Sequence, residues 1–200
     1  MNLFIWLISG YLFGSIPWGL VIGKVFYHKD IRDYGSGNPG GTNAGRVLGA
    51  KIGILVILLD ALKAFLIMLL VNRINPGYEQ YAGLAVCFGH CFPVFAGFRG
   101  GKAVASSYGY LLGLALFVTH EYFWTFLFPV IIFFAVLLTS RMVSLSSMCG
   151  LSSAALGIMI FVDKAIGLLV LCLDLFVIYR HKANIQRIIN GNESKIKFKK

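Results

Sequence analysis

The sequence predicts an all-α, polytopic integral membrane protein, and three observations carry that prediction. The 200-residue chain is 58% hydrophobic and 13% charged, with a mean hydropathy of +0.80. A water-soluble domain of this size is far less apolar. Apolar stretches recur at about residues 3–23, 52–71, 81–97, 103–119, 123–139, 145–162 and 165–179. Each approaches the roughly 20 residues that carry a helix across a bilayer, with the third, fifth and seventh short. Third, the basic residues are unevenly distributed. Fifteen lie in the gaps after stretches one, three and five and in the tail after stretch seven, the tail ending on Lys195, Lys197, Lys199 and Lys200. The opposite gaps hold Arg73 and Lys164, with Lys63 inside a span. The positive-inside rule then puts the N-terminus outside and the C-terminus in the cytoplasm. Seven helices account for most of the chain, so 1–200 reads as one seven-helix transmembrane domain.

The first stretch, Met1 to Val25, lacks a basic leader and a small-residue cleavage site, and reads as a retained span. Behind it, Tyr34 to Arg46 reads Y-G-S-G-N-P-G-G-T-N-A-G-R. So many glycines, with Pro39 and the short polar side chains Ser36, Asn38, Thr42 and Asn43, predict a tight loop and neither helix nor strand. Its backbone N–H groups around Gly35 and Gly37 are expected to form an anion-binding nest, closed by the Arg46 guanidinium. Gly35, Gly37 and Gly40 also satisfy G-x-G-x-x-G. That pattern means a dinucleotide only between a strand and a helix, and here it follows a membrane span.

Asp60 and Lys63 stand three apart within the second span and are read as a structural ion pair. Asp174, in the last span, has no obvious local partner. Cys87, His90 and Cys91 share one helix but lack a fourth ligand at a sensible spacing, so no metal site is predicted. Phe98 to Lys102, F-R-G-G-K, is not a P-loop, because Ala96 replaces the first glycine and Ala103 follows the lysine. A Gly100-Gly101-Lys102 turn opening a helix still supplies N–H donors, a positive helix end and an ammonium for an anion. The pairs Gly10/Gly14, Gly19/Gly23 and Gly109/Gly113 suit close packing. His181, Asn184 and Arg187 recur at i, i+3 and i+6 after the last span, which predicts a helix extension with His181 and Asn184 on one face.

In the predicted topology every unusual polar stretch falls on the cytoplasmic side. These stretches are Tyr34 to Arg46, Phe98 to Lys102, Ser140 to Ser147 and Arg180 to Arg187. An enzyme joining a soluble substrate to a lipid-phase one needs chemistry on one face, whereas a transporter needs a site near the midplane in repeated halves, and no repeat is evident. The net charge of +10 lies between and after apolar runs, not on one polar surface. The implied partners are therefore the lipid bilayer and phosphorylated substrates, with no nucleic acid. A phosphometabolite transporter is the alternative from another class. An acyltransferase using the H-x-x-x-x-D pair His28 and Asp33 is a second.

As a set, G-S-I-P-W-G (14–19), G-S-G-N-P-G-G-T-N-A-G-R (35–46), D-A-L-K (60–63), G-H-C-F-P-V-F (89–95), F-R-G-G-K-A-V-A (98–105), S-R-M-V-S-L-S-S (140–147) and R-H-K-A-N-I-Q-R-I-I-N-G-N-E (180–193) resemble the bacterial acyl-phosphate:glycerol-3-phosphate acyltransferases, the PlsY family. The resemblance spans nearly the whole chain in order. It implies a seven-helix enzyme of the bacterial inner or plasma membrane. The implied reaction acylates the 1-hydroxyl of glycerol 3-phosphate from an acyl phosphate, giving lysophosphatidic acid without a cofactor or metal. A separate enzyme would supply the acyl phosphate. The family's first motif places its serine and arginine at Ser36 and Arg46, beside Gly35, Gly37, Asn38, Thr42 and Asn43. Its second, linked to glycerol 3-phosphate, falls on Gly100, Gly101 and Lys102. The third falls on His181 and Asn184, with the family's structural glutamate at Glu193, and Arg141 and Ser144 match the polar turn before it. Gly41 and Ser106 stand where the family often has Ala and Thr. The proton acceptor stays open between His181 and a substrate phosphate.

Overall fold

The computed structural model describes residues 2–196, so the basic positions Lys197, Lys199 and Lys200 lie outside the described residues. Among the described residues the regular structure is helical, and no strand forms. The chain divides into two compact units, Met1–Val118 and Thr119–Lys200.

The first unit holds α1 (Leu3–Gly14), α2 (Trp18–Tyr27), α3 (Gly41–Leu48), α4 (Ala50–Ile74), α5 (Glu79–Cys91) and α6 (Val104–Phe117). The first predicted span folds as two helices. Pro17 lacks an N–H and its ring disfavours helical geometry in the preceding residue, so the ladder stops at Gly14 and restarts at Trp18. α1 packs on α5, and α4 packs on both α5 and α6. Small residues set these distances. A Cβ at Gly10 would meet the Ala82 carbonyl, one at Gly14 the Val86 backbone, and one at Gly109 the Ala61 carbonyl. Gly19 and Gly23 serve a different contact: their missing Cβ atoms leave room for the carbonyls of Pro39 and Lys29 in the polar segment.

Two sequence expectations change here. Residues 41–46, expected as the end of the Tyr34–Arg46 loop, fold instead into α3, Gly41–Leu48. Glycine's poor helix propensity is overridden by packing, because Gly41 and Gly45 let α3 lie directly on α4. A Cβ at Gly41 would strike Ile57, and one at Gly53 would fall 2.6 Å from the Gly45 Cα. The third apolar stretch is helical only to Cys91, since Pro93 blocks continuation and Val94–Ala96 turn as a 3-10 helix.

α4 shows the inverted polarity of a helix in lipid. Ile54, Leu58, Leu62, Leu66 and Leu70 are exposed, while Asp60 and Lys63 are 2% and 1% exposed. In water the same two faces would exchange places.

The second unit begins with a π turn at Phe123–Leu127. It continues through α7 (Phe128–Ser140), α8 (Val143–Phe161), α9 (Lys164–Arg180) and α10 (Lys182–Ile189). The Glu121 carboxylate accepts from the Trp124 N–H at 2.9 Å, and the Trp124 ring stacks on Phe161 at 4.2 Å. Asp163 caps α9 by accepting from the Ile166 N–H at 2.8 Å. Asp174 finds its partner on the neighbouring helix, where the Ser152 hydroxyl donates to it at 2.8 Å.

Among the described residues, four apolar helical segments are long enough to cross a membrane: Leu3–Tyr27, Ala50–Ile74, Phe123–Ser140 and Val143–Phe161. α5, α6 and α9 coincide with the remaining predicted spans but have 13, 14 and 17 residues. The chain is thus all-α with several apolar helices of membrane-spanning character. Gly109→Val tests the α4–α6 approach. It is expected to lower unfolding stability by about 1–3 kcal/mol through overpacking, read as an earlier thermal transition in detergent.

Candidate active site

In the first unit, the polar segment between α2 and α3 is built around two buried or half-buried anchors. Asp30 accepts from the Arg32 backbone N–H and Nε, both at 3.0 Å, and from Nη2 at 2.7 Å, and it pairs with Lys24 at 3.1 Å. The Arg32 hydrogen bonds hold the Asp30 carboxyl far below the ordinary carboxylate range. Arg32 Nη1 also donates to the Ala96 carbonyl at 3.1 Å, tying this segment to the turn that follows α5. The second anchor is Asn43, at 1% exposure. Its amide donates to the Ile31 and Tyr34 carbonyls at 2.8 and 3.1 Å, and its oxygen accepts from the Ser36 N–H at 2.9 Å.

These bonds revise the picture of an open nest. The Ser36, Gly37 and Gly40 N–H groups bond to Asn43, Tyr34 and Asn38 respectively, so much of the backbone donor capacity shapes the segment itself. Gly35 and Gly37 have φ of +61° and +69°, where a Cβ would be strained. The Ser36 and Thr42 side chains are exposed just before and in the first turn of α3, and Arg46 is exposed in its last turn. Hydroxyls, a guanidinium and a positive helix end are each groups suited in chemistry to an anion.

The second candidate turn lies between α5 and α6. Gly97, Phe98 and Ala103 all have positive φ, of +62°, +60° and +60°, so the chain reverses sharply before α6. Gly100 and Gly101 are glycine for another reason, which is close approach. A Cβ at 100 would strike the His90 and Cys91 carbonyls, and one at 101 would strike the His90 imidazole. The Gly101 N–H donates to the His90 carbonyl at 3.0 Å. Lys102 is half-buried at the start of this helix entry.

In the second unit, His181 sits at the junction of α9 and α10, and it and Asn184 are 2% and 6% exposed. The His181 Nδ1 lies 2.8 Å from the Val177 carbonyl. A carbonyl only accepts, so Nδ1 carries a proton, and whenever the ring is neutral its basic nitrogen is Nε2. The extension forms a helix, as its spacing implies. Glu193 organises what surrounds it: its Oε1 accepts from Ser144 Oγ at 2.7 Å and Asn184 Nδ2 at 2.6 Å, and its Oε2 from Arg187 Nε at 2.7 Å. Burial pushes the Glu193 carboxyl up. The three hydrogen bonds and the Arg187 charge outweigh that, leaving it below the ordinary glutamate value. Arg141 is an exposed left-handed residue whose carbonyl accepts from the Ile196 N–H at 2.8 Å.

Sequence reasoning placed Ser36, Arg46, Lys102, His181 and Asn184 in polar segments, which is where they lie. It gave no role to Arg32 beyond its charge and weighed His90 only as a metal ligand. Nothing in local spacing marks a bond between residues 32 and 96, or one between residues 63 and 90.

Comparison with known proteins gives concordant results. The family model described as Glycerol-3-phosphate acyltransferase matches residues 4–191. A glycerol-3-phosphate acyltransferase of Listeria monocytogenes serotype 4a (strain HCC23) is 47% identical over 99% of this chain and 98% of its own length. One from Geobacillus kaustophilus (strain HTA426) is 47% identical over 96% of this chain and 95% of its own. Among solved structures, PlsY (YgiH), an integral membrane glycerol 3-phosphate acyltransferase, superposes in its glycerol 3-phosphate form with a TM-score of 0.88. It shares 34% identity over 98% of this chain and 96% of that one. Its lysophosphatidic acid form gives a TM-score of 0.85 at 33% identity.

Glu193→Ala is expected to destabilise the second unit by about 1–3 kcal/mol, because it leaves hydrogen-bonding groups of Ser144, Asn184 and Arg187 unmatched. The same carboxylate sets a pH response. With its folded pKa below the unfolded one, it contributes stability above the ordinary glutamate range and loses it as pH falls through the lowered value. Melting curves in detergent down an acid series should therefore converge for wild type and Glu193→Gln at low pH, and separate towards neutrality.

Proposed function

This chain belongs to the glycerol-3-phosphate acyltransferase family, and we propose that it transfers an acyl group from an acyl phosphate to the 1-hydroxyl of glycerol 3-phosphate, giving lysophosphatidic acid. The coarser activity follows from family membership; the acyl-phosphate donor rests on the likeness to PlsY and on the chemistry of the polar segments. The observation that carries the reading is the presence in one unit of two polar segments, Ser36–Arg46 and Gly100–Lys102, each bringing a cation to a helix entry or helix, with no nucleophile–base pair in either. An acyl phosphate is a mixed anhydride whose leaving group departs readily, so the glycerol hydroxyl can attack the acyl carbon directly. A carbon–oxygen ester bond forms, the bond to the phosphate oxygen breaks, inorganic phosphate leaves, and the hydroxyl proton passes to a base. What the protein must supply is orientation and neutralisation of phosphate charge.

In this reading Arg46 and Lys102 bind phosphate oxygens, and Ser36 with Thr42 orients them. Gly35, Gly37, Asn38 and Asn43 act by shaping the first segment, as their internal hydrogen bonds and positive φ values support. Gly100 and Gly101 shape the glycerol 3-phosphate turn. Asn184 orients a substrate oxygen, and Arg141 and Ser144 belong to the same third set of residues, with Ser144 linked to Asn184 through Glu193. The proton goes either to His181 Nε2, whose lone pair the Val177 bond defines, or to a substrate phosphate.

The whole chain, 1–200, is proposed to act as one domain of seven spans in the bacterial plasma membrane, N-terminus outside and C-terminus cytoplasmic. It takes its acyl phosphate from a separate enzyme and uses no cofactor. Purified protein with glycerol 3-phosphate should form product with palmitoyl phosphate and none with palmitoyl-CoA or acyl carrier protein thioesters. Product only from a thioester would redirect the site to His28 and Asp33, and flux without product in proteoliposomes would make the protein a transporter. Arg46→Ala and Lys102→Ala are each expected to lower kcat/KM by about 100-fold or more. A His181→Ala protein with unchanged kcat would assign the proton to substrate phosphate.

A further inference from the structure

The most unusual group outside the polar segments is Lys63, an ammonium 1% exposed in the middle of apolar α4. Its Nζ lies 2.9 Å from Asp60 Oδ1, 2.9 Å from the Gly14 carbonyl, 3.2 Å from the Ile16 carbonyl and 2.9 Å from His90 Nδ1. A lone structural ion pair needs only the first of these. The others join the break between α1 and α2 and the end of α5 to one cation. The imidazole meets the pair through Nδ1, which lies 2.9 Å from the ammonium and 3.4 Å from Asp60 Oδ1. Nε2 is on the opposite edge of the imidazole, and that edge fills the volume a Cβ at Gly101 would need. The backbone of the same residue accepts from the Gly101 N–H at 3.0 Å, and its carbonyl also abuts Gly100. His90 is therefore held on one edge by Lys63 and contacts the Gly100–Gly101 turn with the other edge and its carbonyl.

We propose that Lys63, balanced by Asp60 and acting through His90, is a positioning residue for the Gly100–Gly101–Lys102 turn and so for glycerol 3-phosphate binding. The proposal rests on the assignment of that turn to glycerol 3-phosphate. Lys63 touches no substrate in this scheme. It fixes the imidazole, and the imidazole fixes where Gly101 places its backbone and where Lys102 begins. Removing the cation alone would leave the Asp60 carboxylate uncompensated in the apolar interior, so the informative variant removes both charges.

The experiment compares KM for glycerol 3-phosphate with KM for palmitoyl phosphate in purified wild type, Asp60→Asn/Lys63→Met and His90→Asn. The last variant keeps an acceptor for Lys63 but withdraws the ring from Gly101. Both variants are expected to raise KM for glycerol 3-phosphate by about tenfold or more, with KM for the acyl phosphate held within about twofold, because only one substrate depends on the turn. Gly101→Ala should have a similar selective effect, and combining it with Asp60→Asn/Lys63→Met should add little, since both act on one element. Equal loss on both substrates, an unchanged KM in a folded variant, or additive effects in the combination would each overturn the proposal. So would failure of every variant to fold, which would make the cluster a stability element alone. A wild type that consumes no glycerol 3-phosphate would refute the assignment of the turn instead, and that result appears before any variant is made.

Discussion

A cation in an apolar helix interior must be surrounded by acceptors, and satisfying Lys63 draws together the part of the molecule around it. The required acceptors come from Asp60 on its own helix, from the end of α1 and the break beyond it, and from His90 on α5. The break at Pro17 matters here in a way unrelated to flexibility. A helix that ran on through residues 15–17 would have used the Gly14 and Ile16 carbonyls in its own ladder. Because it stops, those carbonyls face the ammonium. Glycines at 10, 14 and 109 then allow the backbones of α1, α5, α4 and α6 to approach within reach of such short bonds.

The polar segments follow a second constraint, which is that an irregular backbone must satisfy its own groups before it can offer any to a ligand. Asn43 does this for residues 31–36, and Glu193 does the equivalent for the side chains of α8 and α10. Each is a buried or half-buried group whose bonds fix the direction of its neighbours. Among the residues left exposed, Ser36, Thr42 and Arg46 have the chemistry for an anion.

What was legible in the sequence was whatever depends on local pattern. Apolar runs of helix length announced the helices, the Asp60–Lys63 spacing announced their ion pair, and the i, i+3 spacing of His181 and Asn184 announced a helical extension. What was not legible depends on residues far apart in the chain. α3 was hidden because the glycine-rich stretch argues against a helix until Gly53 and Ile57 of α4 are known to lie against Gly41 and Gly45. The Arg32–Ala96 bond spans 64 positions, and His90, Gly14 and Ile16 stand 27, 49 and 47 positions from Lys63. His90 looked like an incomplete metal ligand set because Cys87 and Cys91 flank it, yet Cys87 faces Ser107 at 4.0 Å and His90 turns to Lys63. Family resemblance reached these residues as a set but could not say which ones touch.

The spacing of Asp60 and Lys63 also bears on how the chain enters the bilayer. The two charges lie one turn apart on the same helix, so the apolar middle of α4, residues 52–72, carries its cation and the matching anion as a single, formally neutral stretch between the terminal Lys51 and Arg73. The helix can therefore partition into lipid before α1 and α5 have gathered around it. In the folded structure the Gly14 and Ile16 carbonyls and the His90 imidazole complete the surroundings of that pair. Biogenesis and final architecture thus make separate demands on the same two residues, the first met by proximity in sequence and the second by proximity in space.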